Sequence, residues 1–211
     1  MKLSILGFSE ATLSMILDSM ESKNLITDVN VINNLNISPK HEFNNPKFKI
    51  NLIEQVCDIE NQSFIIGVTN SKLKKQIYES FGFELKHFIN LIHQFSFIST
   101  TSSVGLGCLI NPFVSIASHT TIGNHVSINR NSSIGHHTTI GDFVTINPGV
   151  NIAGHVIIGD GTTIGMGTNV INGINIGKNS IIGAGSLVNK DIPDNTIAWG
   201  CPCKIIKKNE I

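Results

Sequence analysis

The sequence is poor in charged residues and has no excess of either sign. Lys and Arg together number 15, as do Asp and Glu, so the formal net charge is zero, and charged residues make up only 14% of the 211 residues. A chain without net positive charge has no long-range field that attracts a polyanion. We therefore expect no nucleic-acid partner.

Signals for a membrane or for secretion are also missing. No apolar run approaches the roughly 18 residues that a membrane-spanning helix requires. The start of the chain contains Glu10 and Asp18 and no small-residue cleavage site, so we predict no signal peptide. The cysteines show neither CxxC spacing nor a disulfide framework; they are Cys57, Cys108, Cys201 and Cys203. The expected location is the reducing cytoplasm, without membrane insertion.

The sequence does have a clear repeat of six residues. From Ile98 to Val188 every sixth residue is Ile or Val, over sixteen hexads, and the next residue is Gly eight times, Asn four times and Ala twice. These residues are small or tolerate a positive φ at a tight corner. Four residues after each aliphatic residue, as far as Ser186, stands Ser, Thr, Val, Cys or Ile. Short strands, three to a coil, then form a triangular prism whose 18-residue coils lie about 4.8 Å apart.

Residues 1 to about 90 follow a different pattern. Lys2–Leu6 is predicted to be a strand, and Ser9 to cap a helix whose apolar stripe is Leu13, Ile16, Leu17 and Met20. Phe64–Val68 is predicted to be a second buried strand, followed by a helix that Gly82 ends, with the stripe Leu73, Ile77 and Phe81. Alternating strands and helices indicate a small parallel α/β domain. Asn33–Lys49 lacks periodicity and is predicted to be a loop.

The hexads resemble those of the hexapeptide-repeat acyltransferases. The order of small α/β domain, the segment NLIHQFSFIST and then hexads is similar to bacterial sugar acetyltransferases of the sialic acid O-acetyltransferase and amino-sugar N-acetyltransferase group, over nearly the whole chain. The resemblance implies a Rossmann-like α/β domain at residues 1–92, a left-handed parallel β-helix at 93–192 and a C-terminal tail at 193–211. It also implies direct acetyl transfer from acetyl-CoA to a sugar by a homotrimer, without an acyl-enzyme.

Residues 133–143, SIGHHTTIGDF, are similar to the active-site hexads of this group. The resemblance makes His136 the general base, and an imidazole has a suitable pKa for taking a proton from an amine or hydroxyl near neutrality. Relatives carry an acidic residue where this chain has His137. Three interpretations stay open: Asp142 supplies the missing charge, a backbone carbonyl orients His136, or activity is weak. The side chain of His137 is also free to point into solvent.

The resemblance assigns further residues to the donor. Gly154 matches a glycine whose N–H faces the acetyl carbonyl, which makes it the candidate oxyanion hole. Thr145 stands where relatives often have a His near acetyl-CoA, and Met166 and Ala184 match positions that line the pantetheine. The segment GCPCK at residues 200–204 resembles a closing pattern G-x-P-A-K. The candidates for contacts with the CoA phosphates are therefore Lys204, Lys207 and Lys208, with a solvated basic tail as the alternative.

The acceptor candidates lie near the ends of the predicted N-terminal strands. Relatives have a loop of the type G-x-S-G-H-G after the first strand, of which this chain keeps only Gly7 and Ser9. Glu10 in that loop would repel a diphosphate. The remaining candidates for acceptor binding are Asn33, Asn34, Thr69 and His137. A nucleotide-linked amino sugar is the first expectation, and sialic acid or another glycan precursor is the alternative.

Two other functions are compatible with the same fold. One is a metal-dependent hydratase on His119, His137 and His155, which are spaced by 18 residues. Stacked coils would place the outer two roughly 9.6 Å apart, too far for one ion with bonds of about 2 Å, so we expect no metal. The other is a scaffold that has lost its activity, in line with His137, Thr145 and the altered loop.

Overall fold

The computed structural model describes residues 2–7, 9–20, 28–32, 49–53 and 59–210. Its N-terminal part is a four-stranded parallel sheet in the order β3-β2-β1-β4. These strands are β1 (Lys2–Leu6), β2 (Asp28–Ile32), β3 (Lys49–Ile53) and β4 (Gln62–Ile66). Helix α1 is Glu10–Met20 and helix α2 is Ser71–Phe81. We refer to these elements together as the small sheet domain.

The two predicted helices and two predicted strands of this domain are present, but the second strand is Gln62–Ile66 and not the predicted Phe64–Val68. In α1, Leu13, Ile16 and Met20 are fully buried against the sheet. Helix α2 is capped by Asn70, whose side chain accepts from the Leu73 N–H at 2.9 Å, and it ends at Gly82 with φ 62°. The structure thus shows a small parallel sheet with two helices, and the more specific assignment to a Rossmann-like fold stays a prediction.

Strand β3 was not anticipated from the sequence. The loop predicted at Asn33–Lys49 lies outside the described residues except for Lys49, which is the first residue of β3. Residues 49–52 alternate polar and apolar side chains, but this signal is only four residues long. The strand pairs in parallel with β2, which is distant in sequence, so the short alternation alone did not reveal it.

The hexads form a parallel β-helix of two-residue strands whose coils stack in register, as the period predicts. We name its three faces by their outward residues or their cover. The asparagine face is β6 (Phe97–Ile98), β9 (Ser115–Ile116), β12 (Ser133–Ile134), β15 (Asn151–Ile152), β18 (Asn169–Val170) and β21 (Leu187–Val188). The threonine face is β7 (Ser103–Val104), β10 (Thr121–Ile122), β13 (Thr139–Ile140), β16 (Ile157–Ile158) and β19 (Asn175–Ile176).

The third face is covered by α2, and we call it the covered face. It consists of β5 (Leu91–Ile92), β8 (Leu109–Ile110), β11 (Ser127–Ile128), β14 (Thr145–Ile146), β17 (Thr163–Ile164), β20 (Ile181–Ile182), β22 (Thr196–Trp199) and β23 (Lys204–Lys208). Strand β23 is antiparallel to β22, so part of the expected tail is a hairpin. Strands β5 and β22 extend the prism sheets slightly beyond the expected range 93–192.

The hydroxyls inside the prism explain how polar residues fit its narrow core. Thr120, Thr138 and Thr162 are fully buried. Their Oγ1 atoms donate to the carbonyls of Gly135, Ala153 and Gly177 at 3.0, 3.2 and 2.6 Å, each 15 residues ahead in the next coil. Burying a hydroxyl is costly unless it is hydrogen-bonded. The periodic Ser and Thr residues therefore link successive coils.

The corner glycines that follow the aliphatic residues are needed because they are small, and not because of their backbone conformation. A positive φ occurs two residues after them, for example at His125 (54°) after Gly123 and at His137 (56°) after Gly135. A Cβ on Gly135 would lie only 2.5 Å from the Gly154 nitrogen of the next coil. Of the two properties suggested for the residue after each aliphatic, tolerance of a positive φ is thus not used at Gly135. Its small size is what the stacking of coils requires.

Helix α2 is joined to the prism through a buried lysine. Lys74 is 2% exposed, and its Nζ donates to His125 O at 2.9 Å, Ser127 Oγ at 3.1 Å and Val144 O at 3.2 Å. Burial lowers the pKa of Lys74 from 10.5 to about 7.

Among the described residues, no helix is long and apolar enough to cross a bilayer.

An aromatic cluster surrounds the same joint. The His125 ring is buried, with ring centroids 4.7 Å from Tyr78, 4.7 Å from Phe88 and 5.0 Å from Phe143. Neither of its ring nitrogens has a hydrogen-bond partner within the described part of the chain. Burial first, and the charge of Lys74 second, lower the pKa of His125 to about 4. The ring is therefore neutral and packs as an aromatic.

Candidate active site

Four exposed imidazoles lie on one corner of the prism, between the asparagine face and the threonine face. This histidine corner consists of His119, His136, His137 and His155. The ring centroids of His137 lie 4.9 Å from His119 and 4.8 Å from His155, which is the coil spacing that the 18-residue period predicts.

His136 and His137 contact each other directly. Their Nδ1 atoms are 3.0 Å apart, and the rings meet edge to face. Neighbouring side chains of a strand point to opposite sides, but His137 has a left-handed backbone with φ 56°. The interpretation that His137 points away into solvent is therefore wrong. A hydrogen bond at this distance requires that one Nδ1 atom carries a proton and donates while the other accepts.

Asp142 does not replace the missing acidic residue. It lies on the next corner, where its Oδ1 accepts from the backbone N–H of Asn124 at 2.6 Å and from Asn124 Nδ2 at 3.2 Å. Its own N–H donates to Asp160 Oδ1. This carboxylate organises a corner of the prism, and His137 is the side chain that meets His136.

Gly154 lies directly against the His136 ring. A Cβ at this position would come within 2.7 Å of Cε1 and 2.8 Å of Nε2 of His136. Its own carbonyl accepts from the N–H of Gly173 at 3.1 Å. Because Gly154 has no side chain, the ring of His136 from the preceding coil can occupy the space beside it.

Positive charge on His137 is disfavoured by its surroundings. Desolvation first, and then the charges of His119, His155 and His136, lower the pKa of His137. The corner therefore favours a neutral His137 with one nitrogen available as a hydrogen-bond acceptor.

Thr145 belongs to the joint with the small sheet domain and not to the histidine corner. It is buried on the covered face, where its Oγ1 donates to Thr69 O at 2.6 Å and accepts from Ser71 Oγ at 3.2 Å. Ser71 also lies 3.0 Å from Thr163 Oγ1. Because α2 covers Thr145, its side chain is not accessible to acetyl-CoA in this chain, contrary to the expectation for this position.

The other donor candidates are exposed on different parts of the prism. Met166 and Ala184 lie one coil apart on the corner between the covered face and the asparagine face. Lys204, Lys207 and Lys208 lie on β23 and are all exposed. One chain therefore does not bring these residues together with His136.

Two acceptor candidates lie at the carboxyl edge of the small sheet. Ser9 follows β1, and its carbonyl accepts the first helical hydrogen bond of α1, from Leu13 at 2.8 Å. Thr69 follows β4, and β1 and β4 are neighbours. Asn33 and Asn34 lie outside the described residues.

Ser71 is a residue that the sequence analysis missed. It begins α2 and, with Thr163 and Asn179, lines a cavity of about 360 Å³ between the helix and the prism. A serine in the first turn of a helix is common, so nothing in its local pattern distinguishes it. Only the packing of the helix against the prism, which is a long-range feature, shows its contacts.

The hexapeptide repeats of the prism match a known family model. The family model described as Bacterial transferase hexapeptide (six repeats) matches residues 119–154, 137–172 and 155–190. Residues 119–190 therefore match the hexapeptide repeat that this family model describes. The matched repeats include the whole histidine corner. A search of curated proteins finds no match to the sequence.

Several solved structures are similar to this chain over nearly its whole length. The acetyltransferase domain of PglB from Neisseria gonorrhoeae FA1090, in complex with acetyl coenzyme A, has a TM-score of 0.84 and 21% identity, covering 97% of this chain and 98% of that chain. A mutant of perosamine N-acetyltransferase from Caulobacter crescentus, with CoA and GDP-perosamine, has a TM-score of 0.81 and 21% identity, covering 98% and 97%. WeeI from Acinetobacter baumannii AYE has a TM-score of 0.65 and 21% identity, covering 98% and 100%. At this identity the similarity establishes the fold.

Proposed function

We propose that this chain is an acetyltransferase that moves the acetyl group of acetyl-CoA directly to a sugar, with His136 as the general base. The observation that carries the proposal is the exposed ring of His136, whose Nδ1 meets His137 at 3.0 Å. If Nδ1–H of His136 donates to the neutral His137, the lone pair of His136 Nε2 is free to accept a proton.

The chemistry follows from that tautomer. The sugar amine or hydroxyl attacks the thioester carbonyl, and its proton passes to His136 Nε2. The C–S bond then breaks, and the imidazolium returns the proton to the thiolate, so that CoA leaves as the thiol and His136 is again a free base. His137 takes the orienting role for which relatives use an acidic residue. As a neutral acceptor it fixes the ring but adds no negative charge to stabilise the imidazolium. The proposed base is therefore oriented, yet weaker than a base paired with a carboxylate.

Gly154 is proposed to serve the oxyanion. The tetrahedral intermediate carries its negative charge on the former carbonyl oxygen, and a backbone N–H is a suitable donor to it. Gly154 is adjacent to the His136 ring, so one reacting group can reach both. A residue with a side chain would push the ring aside.

The acceptor is proposed to be a nucleotide-linked amino sugar bound at the carboxyl edge of the small sheet. Ligands of open parallel sheets bind at this edge, where Ser9 and Thr69 lie. The similarity in fold to the Caulobacter enzyme, which was crystallised with GDP-perosamine, supports this class. Glu10 in place of a glycine favours contacts with the sugar or base over contacts with the diphosphate.

A homotrimer is proposed to complete the donor site in the cytoplasm. Met166 and Ala184 lie on a different corner from His136, so a neighbouring prism is required to bring the pantetheine contacts opposite the base. Closed rotational symmetry offers such a repeated contact. Sedimentation should give a trimer at micromolar concentration, and a stable monomer would contradict this part of the proposal.

The decisive experiment is a screen of acceptors with release of CoA thiol as the readout. Nucleotide amino sugars and free sialic acids are offered with acetyl-CoA to wild type and to His136→Ala. We expect turnover on an amino sugar, and a loss of about 10²–10⁴ in the variant with acetyl-CoA binding retained. A variant of normal rate would place the base elsewhere. Binding of acetyl-CoA without turnover on any acceptor would favour the inactive scaffold.

A further inference from the structure

We propose that His136, His137 and His155 form a binding site for a divalent transition-metal ion such as Zn²⁺, and that metal binding and acetyl transfer exclude each other. The binding site stands on the geometry of the corner alone. The exclusion rests in addition on the proposed function of His136.

The three imidazoles are spaced as ligands of one ion. Each offers one nitrogen, and these three nitrogens all lie within 4.8 Å of one another. Tetrahedral zinc with Zn–N bonds of 2.0–2.1 Å places its ligand atoms about 3.4 Å apart. The Nδ1 atoms of His136 and His137 are already 3.0 Å apart. All three side chains are exposed, so small rotations about their side-chain bonds bring His155 into range.

This set differs from the stack of residues spaced by 18. Since His119 and His155 lie on either side of His137, they are two coils apart and do not share an ion. His136 changes the arrangement, because it meets both His137 and His155 edge to face, with centroids at 5.2 and 5.0 Å. Two ligands then come from one coil and one from the next.

The chemistry of the corner suits a borderline metal ion. Neutral imidazole is a good ligand for zinc, copper and nickel, and all three rings are exposed at the corner. Three protein ligands leave the fourth position of a tetrahedral ion to water.

Metal binding would remove the proposed base. An ion on Nδ1 of His136 leaves its Nε2 as the protonated nitrogen of the neutral ring. That nitrogen then has no lone pair for the proton of the acceptor. Zinc should therefore inhibit the enzyme reversibly, and a chelator should restore it.

The binding test uses untagged full-length protein and titrates Zn²⁺ by calorimetry. We expect one site per chain. We expect His155→Ala to weaken it at least about tenfold, because it removes a ligand. His119→Ala is the matched control, since it lies on the same corner outside the set, and it should bind as wild type does. Cobalt absorption separates imidazole ligation from thiolate ligation by Cys201 and Cys203. Equal affinity of wild type and His155→Ala, or thiolate bands, would overturn the site.

The inhibition test measures the zinc concentration that halves the activity of each protein relative to its own rate without metal. We expect this concentration to rise at least about tenfold in His155→Ala and to stay unchanged in His119→Ala. Zinc that binds at the corner without slowing acetyl transfer would overturn the exclusion. If no acceptor is turned over, the proposed function fails, while the calorimetry still decides the metal site.

Discussion

The buried Lys74 should make the stability of this protein rise with pH. Burial lowers its pKa to about 7 in the folded state, whereas the unfolded chain keeps the ordinary 10.5. Between these values the unfolded state binds the proton and the folded state does not. The unfolding free energy therefore increases as pH rises from 7 towards 10.5. Below pH 7 both states hold the proton, and the slope disappears.

The magnitude follows from the same two pKa values. One proton of difference between the unfolded and folded states gives a slope of about 1.4 kcal/mol per pH unit. Lys74→Met keeps an unbranched side chain of similar length and removes the titrating group. Between pH 7.5 and 9.5 wild type should therefore gain roughly 2–3 kcal/mol over the variant. Groups that are unchanged by the substitution cancel in the difference.

The assay is urea unfolding of wild type and Lys74→Met at pH 7.5, 8.5 and 9.5. Lys75→Met is the matched control, since Lys75 is the next residue of α2 and is 59% exposed. It should follow the wild-type pH dependence. A difference between wild type and Lys74→Met that stays constant over this range would show that Lys74 remains protonated. Its three hydrogen bonds to the prism would then outweigh its desolvation.

Three further substitutions test the site and the joint. Gly154→Ala keeps the backbone N–H but places a methyl group against His136. We expect kcat to fall by about 10²-fold or more with unchanged thermal stability. Normal turnover would show that the His136 ring can shift without loss of activity. His137→Asp supplies the negative charge that relatives have, and it should turn over as fast as wild type or faster, whereas a slower rate would mean that the neutral acceptor is required. His125→Phe keeps a ring at a corner where Phe143 also has a positive φ of 58°. Because the pKa of His125 is lowered to about 4, wild type should lose about 1.4 kcal/mol per pH unit relative to this variant from pH 6.5 down to 4, and parallel acid unfolding curves would refute the burial argument.

The repeating part of the fold was predictable because its physics is local. The inward-facing positions are determined within each six-residue repeat. The inward orientation of Ile134, Thr138 and Ile140 could therefore be predicted from the sequence. The 18-residue period likewise predicted the stack of His119, His137 and His155. What the period could not give was the contact of His136 with His137, because a left-handed residue at the corner reverses the usual alternation.

The non-local parts were less accessible to sequence reasoning. Strand β3 is defined by its pairing with β2. The burial of Thr145 depends on where α2 packs, and its neighbour Ser71 has no distinguishing pattern. From the sequence, Asp142 was a candidate to supply the missing carboxylate. In the structure it lies on the next corner of the prism, where it accepts a hydrogen bond from Asn124. Contacts that join distant parts of the chain are set by packing, and a linear pattern does not contain them.

The register of the coils gives this protein a natural unit of length change. Loss or gain of 18 residues, or of a multiple of 18, would return every inward side chain to an inward position on the same face and keep the coils stacked. The histidine corner and the contacts of Lys74 and Ser71 all lie between Ser118 and Thr163. The coil that spans residues 169–186 contains none of those residues, so its gain or loss would leave them in place and would change the proposed pantetheine contact at Ala184.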